Sequence, residues 1–548
     1  MKSESTTSMG RNERIIAVVA WVGFAVVLAI LAFSRAYPGM RTETDLLGPF
    51  LRDALQFQRG EALGVEFQPP LYPALLALGH LIYPDWFRVG LGISWLSMVA
   101  SVGIGFAFFR KLYGPASAWG AAGALAVSAT AIAFGAQATS DAPFLFLYTG
   151  TLLLALLALR SPRPGVLFLL LGMGISATLL FRFNGLPLLA LALVVVLREE
   201  PVGVRISYGA LLLLGAVMLM GVWLAYATAT GSPLYPTENY LNLAMTYFGE
   251  GDRISIESRV GVAAQFSSTL DVLLHDPVAL GTQYLRDLIY LPQRLLQTGQ
   301  TRFLTDGLMA FPIGLLALPG VVLLFLRNTD RFSLLFLVIS VGHVLLLNLK
   351  TYDPRFFLFV VPILGAGAGY LLQESSRLSL RRWQRAVGAA ILLLLAIIGA
   401  RASLLDARRA LRADQIELSE AITGASGIVR ADDVVVARKM HVPFYSGAGF
   451  ELFPEVDSVE DLARELRGLC PQGEIYVYFG QYEEGHRGAL AGLRVGDVGD
   501  SPFFEPVLRG EAAEWTLYRF NRTEGDSSPP PSRRECFSAA RTAWSTSR

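Results

Sequence analysis

A few charged side chains stand where this chain could do chemistry. Glu43 and Asp45 come soon after the first apolar stretch, in a segment that opens at Tyr37 and closes on Gln68-Pro69-Pro70-Leu71-Tyr72-Pro73. A carboxylate within hydrogen-bond reach of a hydroxyl can take its proton, so these acids are candidate general bases. The bland alternative is a pair of solvated loop acids. Asp141 sits in Gln137-Ala138-Thr139-Ser140-Asp141-Ala142-Pro143, where an acid followed by Pro143 also makes a helix N-cap. Capping and catalysis are compatible there. The cations are Arg182, in Leu180-Phe181-Arg182-Phe183-Asn184-Gly185, and Lys350 and Arg355, in Lys350-Thr351-Tyr352-Asp353-Pro354-Arg355-Phe356-Phe357. Arg grips phosphate oxygens with two parallel bonds and Lys acts as a point charge; the competing role is snorkelling to lipid headgroups. His343 and His441 read as an interior histidine and a structural one.

The elements that must hold these groups are mostly membrane helices. The chain is 53% hydrophobic and 17% charged, outside the range of soluble domains, and its apolar residues come in blocks. Ile15 to Phe33 carries no charge and is close to the ~20 residues that cross a bilayer. It is longer than the apolar region of a cleaved signal peptide, so it is expected to stay as the first span. Ten further blocks fall near residues 88–109, 117–136, 144–159, 165–181, 184–198, 207–227, 306–326, 332–348, 356–373 and 386–402. Alternate connections carry Arg110 and Lys111, Arg160 and Arg163, Arg198 and Arg205, Arg327 and Arg331, then Arg377, Arg381, Arg382 and Arg385. This is the positive-inside bias. Eleven crossings with an inner N-terminus put the C-terminal region outside. Arg182, Lys350 and Arg355 then fall at the outer face, against the bias, which marks them as functional candidates.

Three regions are too long for simple turns. Residues 34–87 hold an amphipathic stretch, Leu46 to Phe57, and an apolar one, Leu71 to Tyr83, suited to the membrane surface. Residues 232–302 form a second external stretch, rich in Tyr and Phe, of the kind that serves as a lid or binding segment. Residues 403–522 lose the apolar character: Asp433–Ala437, Glu474–Phe479 and Trp515–Phe520 read as strands. Val459–Leu469 reads as a helix capped by Ser458 with Asp461. The division expected is a transmembrane domain over 1–402, an external α/β domain over 403–522 and a disordered tail over 523–548. Cys470 and Cys536 could pair in an oxidising compartment or stand as unrelated thiols. There is no P-loop, no dinucleotide fingerprint and no HExxH. No cofactor is implied, and a divalent metal stays open because no tight ligand cluster demands one. The net charge of +1 averages over membrane and soluble parts and identifies no partner. There is no basic, aromatic-interleaved run and the clustered Arg residues face the inner leaflet, so no nucleic-acid partner is expected.

The pattern resembles the membrane glycosyltransferases of the GT-C fold, which include the bacterial aminoarabinose transferases and the protein O-mannosyltransferases. The matching features, in order, are the acidic first loop, the PPLYP turn and the acid opening the fourth span. An Arg after the fifth span, an Arg with aromatics before the tenth and the external tail domain complete them. The acid usual just before that last Arg is displaced here to Asp353, beyond Pro354. The resemblance implies an α-helical polytopic fold of about eleven spans in a bacterial cell membrane. It implies an inverting transferase that moves a sugar from a polyprenyl-phosphate donor to a lipid, glycan or protein acceptor. Asp45 would be the base, with Glu43 second and Asp141 a supporting acid. Arg182, Lys350 and Arg355 would hold the phosphate. A secondary transporter would instead favour internal repeats and polar groups at the midplane. An O-antigen polymerase or ligase would leave the PPLYP-linked acidic loop unexplained.

Overall fold

The computed structural model describes residues 10–40, 43, 45–65, 68–236, 239–248, 265–296, 313–349, 354–376, 382–412, 415–454, 456, 458–469, 472–480 and 498–521. Lys350, Asp353, Cys470, Cys536 and the tail from Thr523 lie outside these residues. The chain divides into two compact units, each discontinuous in sequence. One is residues 1–34, 53–237 and 281–411; the other is residues 35–52, 238–280 and 412–548.

The first unit is a bundle of apolar helices. Among the described residues four are long and apolar enough to cross a bilayer: Arg11–Phe33, Trp86–Tyr113, Asp141–Arg160 and Val202–Thr230. A fifth results if Pro115–Val127 and Ala129–Gly135, bent by 64°, count as one crossing. Shorter apolar helices, among them Gly165–Phe181 and Arg331–Leu347, accompany them. Every block expected to span contains helix, and the protein is a multi-pass membrane protein. Helix Arg11–Phe33 leaves Ile15, Val19, Val26 and Ile30 exposed, as a lipid-facing surface does, and buries Leu28 and Ala32. Two indole groups tie it to Trp86–Tyr113: Trp21 Nε1 donates to the Val99 carbonyl (2.8 Å) and Trp95 Nε1 to that of Ala25 (2.9 Å).

Small residues set the closest helix contacts. Helices Pro115–Val127 and Val360–Ser376 pack on each other, and a Cβ on Gly120 or Gly365 would collide with the other glycine's carbonyl. Close backbone approach through glycine is how membrane helices gain packing where lipid supplies no hydrophobic drive. Two blocks are irregular. The span expected over 117–136 breaks at Ser128, which takes an extended conformation and caps the second half by accepting from Ala131 N–H (3.3 Å). The block after Arg182 opens as a 3-10 helix, Phe183–Leu193, with Pro187 inside it.

The second unit contains a five-stranded sheet of order β2-β1-β3-β5-β4. Its strands are β1 (Val434–Ala437), β2 (Gly449–Leu452), β3 (Ile475–Gly480), β4 (Phe504–Arg509) and β5 (Trp515–Phe520). β2, β1 and β3 run parallel, and β5 is antiparallel to β3 and to β4. Helix Val459–Arg467 begins at Ser458, whose Oγ accepts from Asp461 N–H (3.1 Å). β3 is buried at every position, with a core cluster on each face. Strands β2 and β4 were not foreseen: they are edge strands whose sequences, GFEL and FEPVLR, lack a β-branched run. The stretch after Ser232, read as a loop, holds the helices Asn239–Tyr247, Thr269–His275 and Pro277–Leu296 among its described residues.

Candidate functional site

Asp141 and Arg182 meet. Helix Gly165–Phe181 ends because Arg182 turns to an extended conformation (φ −156°, ψ 133°), and its side chain swings to the start of helix Asp141–Arg160. There Arg182 Nη1 lies 2.8 Å from Asp141 Oδ1, and Nε and Nη2 donate to Ser140 Oγ at 3.0 and 2.7 Å. Asp141 is therefore not the N-cap expected. It is the first helical residue, Ser140 takes the cap position, and the Ser140 hydroxyl serves Arg182 and makes no cap bond. An acid in the first turn suits the helix dipole. The turn before it is held from helix Trp86–Tyr113, where Ser94 Oγ donates to the Thr139 carbonyl (3.0 Å). The expected external turn is thus a buried one, with Asp141 only 2% exposed. Neither Asp141 oxygen receives a well-aligned hydrogen bond, so this carboxylate keeps acceptor capacity in a buried place.

Arg355 belongs to a single 3-10 turn, Pro354–Phe357. Its guanidinium lies 4.9 Å from the centre of the Phe356 ring, and that of Arg182 lies 5.6 Å from the same ring. Two cations therefore share one aromatic ring, and Arg182 keeps its Asp141 partner at the same time. Phe356, Ser140 and Ser94 were not anticipated. The only sequence cue to Phe356 was its place beside Arg355.

The first-loop acids belong to the second unit and differ from each other. Glu43 is fully buried. Its carboxylate takes both ends of the Arg35 guanidinium, Nη2 to Oε1 at 2.9 Å and Nη1 to Oε2, and Gly39 N–H donates to Oε2 (2.7 Å). Asp45 is half-buried and stands immediately before the π-helical turn Leu46–Phe50, which Pro49 and a non-helical Gly48 distort. Arg35 was not foreseen either. His343 packs flat on Phe359 (3.9 Å, 9°) beside Tyr148 and Phe144, in a buried aromatic cluster. His441 is buried in the second unit. Burial pushes its pKa down to about 3, the Lys439 charge adds to this, and a Gly39 backbone hydrogen bond opposes it. Among the described residues no three His, Cys, Asp or Glu side chains gather to hold a metal.

Residues 67–226 match the dolichyl-phosphate-mannose-protein mannosyltransferase family. That stretch contains the PPLYP motif, whose Leu71, Tyr72 and Pro73 open the helix Leu71–His80, together with Asp141 and Arg182. The crystal structure of ArnT from Cupriavidus metallidurans without ligand is similar over 94% of this chain and 100% of its own, at 14% identity and a TM-score of 0.57. The same protein bound to undecaprenyl phosphate gives 93%, 99%, 13% and 0.56. The oligosaccharyltransferase AglB from Archaeoglobus fulgidus, with an inhibitory peptide and a dolichol-phosphate, is similar over 88% of this chain and 72% of its own, at 12% identity and a TM-score of 0.50. No curated protein matches in sequence. The chain has the fold of these membrane glycosyltransferases. Within the chain, the family match encloses the Asp141–Arg182 pair and leaves Glu43, Asp45 and Arg355 to be argued from their own surroundings.

Proposed function

We propose that this transferase moves a sugar from a polyprenyl-phosphate donor to a lipid, glycan or protein acceptor at the external face of a bacterial cell membrane, with inversion at the anomeric carbon. The acceptor oxygen attacks that carbon as its bond to the phosphate oxygen breaks. The acceptor's proton passes to Asp45, with Glu43 the second candidate, and the electron pair of the broken bond stays on the polyprenyl phosphate. Asp141 is a supporting acid. Arg182, Arg355 and Lys350 take the phosphate, whose charge grows as the bond breaks; cations fixed in advance lower the barrier. Eleven crossings and an external C-terminal domain complete the proposal.

The observation that carries it is the pairing of Arg182 and Arg355 on the Phe356 ring. Arg182 keeps Asp141 beside it, and a second guanidinium at the same ring suits a phosphate, whose several oxygens can take more than one Arg. The test is transfer from a defined polyprenyl-phosphate sugar by purified protein in liposomes. Arg355→Ala should cut turnover or donor affinity strongly while the protein still inserts and elutes as a folded species. Arg355→Lys should recover only part, because Lys lacks the planar fork. Unchanged kinetics in a folded Arg355→Ala protein would remove Arg355 from the site. Transport of a solute by a wild-type protein that ignores every lipid-phosphate sugar would overturn the reading as a whole.

A further inference from the structure

The segment that carries the first-loop acids is built into the core of the C-terminal sheet. Met40 is 1% exposed and belongs to one apolar cluster with Leu418, Ile422, Tyr478 and Trp515. Gln415, the first residue of helix Gln415–Ser426, grips the backbone of Tyr37 from both sides. Tyr37 N–H donates to Gln415 Oε1 (3.4 Å), and Gln415 Nε2 donates to the Tyr37 carbonyl (2.9 Å). The Tyr37 ring stands edge-on to Tyr445 at 4.9 Å. Glu43 comes three residues after Met40, and the Arg35 pair and the Gly39 amide close the loop back on itself.

Residues 35–40 form neither helix nor strand, and such a segment must otherwise meet an ordering cost of roughly 1–2 kcal/mol per residue. Here a buried methionine and a side-chain clamp on a helix end supply the order that secondary structure does not. We infer that the C-terminal domain is a positioning device for the acids of the first loop, with Gln415, Tyr445 and the buried Met40 as its points of attachment. They are positioning residues: they act through Glu43 and Asp45 and touch no reacting atom. The inference rests on the proposed role of those acids in transfer. It gives the soluble domain a part in turnover that is separate from any hold on the acceptor.

The test uses the full chain and a defined polyprenyl-phosphate sugar. Gln415→Leu keeps the side-chain size and removes both hydrogen bonds to Tyr37. Since small misplacement of a catalytic group costs up to about 10²-fold, kcat should fall roughly 10- to 100-fold while donor KM stays within about twofold. Hydrogen exchange should quicken at residues 37–45 and stay unchanged in β1 and β3. Wild-type kcat with quickened exchange at the loop would overturn the inference. So would a fall in kcat that only tracks loss of protection across the whole sheet. Tyr37→Leu, which loses the ring contact and leaves the sheet residues intact, is the second variant for the same readouts. If Asp45→Asn and Glu43→Gln both turn over normally, the assignment of the base fails. If either is dead while Gln415→Leu and Tyr37→Leu are fully active, only the positioning role fails.

Discussion

Asp141→Asn tests the buried pair most directly. The Arg182 and Asp141 side chains are 7% and 1% exposed and 2.8 Å apart. Removing one partner of a buried pair leaves the other charge uncompensated, at about 3–5 kcal/mol. Two hydrogen bonds to Ser140 remain on Arg182, and the asparagine oxygen can still face it, so the loss should lie near the lower end, about 3 kcal/mol. Arg182→Met should cost as much by stranding the carboxylate. The double variant strands neither charge and should lose less than the sum of the singles, by roughly 2–3 kcal/mol of coupling. Unfolding by denaturing detergent in mixed micelles reads these differences. Polyprenyl phosphate should then stabilise Asp141→Asn more than it stabilises wild type, because its charge takes the place of the missing carboxylate. An extra 1.4 kcal/mol appears as roughly tenfold tighter binding. Additive single variants would refute the coupling. Equal or weaker binding of polyprenyl phosphate by Asp141→Asn would refute contact between Arg182 and the phosphate.

Asp45→Asn should reduce transfer by roughly 10²–10⁴-fold, as removal of a general base does, with folding unchanged; near-normal transfer by purified protein moves the role to Glu43. Gly365→Ala puts a Cβ into the Gly120 carbonyl and the Ala124 side chain, and such overpacking should cost about 1–3 kcal/mol, read as a lower unfolding midpoint. His441 is held neutral, with its pKa lowered from 6.5 to about 3. Below its unfolded pKa the unfolded chain binds a proton that the folded chain refuses, so its contribution is complete above pH 6.5 and is lost as pH falls towards 3. The slope is about 1.4 kcal/mol per pH unit. His441→Leu should flatten that part of the stability profile, and an unchanged profile would show that His441 is not its source.

The bundle helices were legible in the sequence because they are blocks of apolar residues, and among the described residues four reach membrane length. The soluble strands β1, β3 and β5 were legible because they are β-branched and aromatic. What escaped was irregular. The break at Ser128 depends on a one-residue cap, and nothing in the run Ala-Val-Ser-Ala-Thr-Ala-Ile marks it as a bend. The chemistry-bearing charges were visible, but their partners were not. Asp141 and Arg182 are far apart in sequence, and only the turn of Arg182 out of its helix brings them together. Arg35 comes directly after the first span, and nothing in the sequence marks its pairing with Glu43.

That pairing bears on which first-loop acid does the work. A general base must offer an oxygen to the acceptor hydroxyl. Each Glu43 oxygen already takes a guanidinium N–H, one of them takes the Gly39 amide as well, and the group is fully buried. To act as base, Glu43 would have to give up part of a charge-assisted contact that also fixes the loop, and such contacts are roughly twice as strong as neutral ones. Asp45 carries no comparable burden. It is half-buried and starts a helical turn whose Leu46, Leu47 and Phe50 anchor in apolar surroundings. On the reading proposed above, Glu43 is a locked acid that shapes the loop and Asp45 the accessible one that would exchange the proton. Glu43→Gln should then lower activity together with loop order, as hydrogen exchange at residues 35–45 would report. Asp45→Asn should lower activity alone.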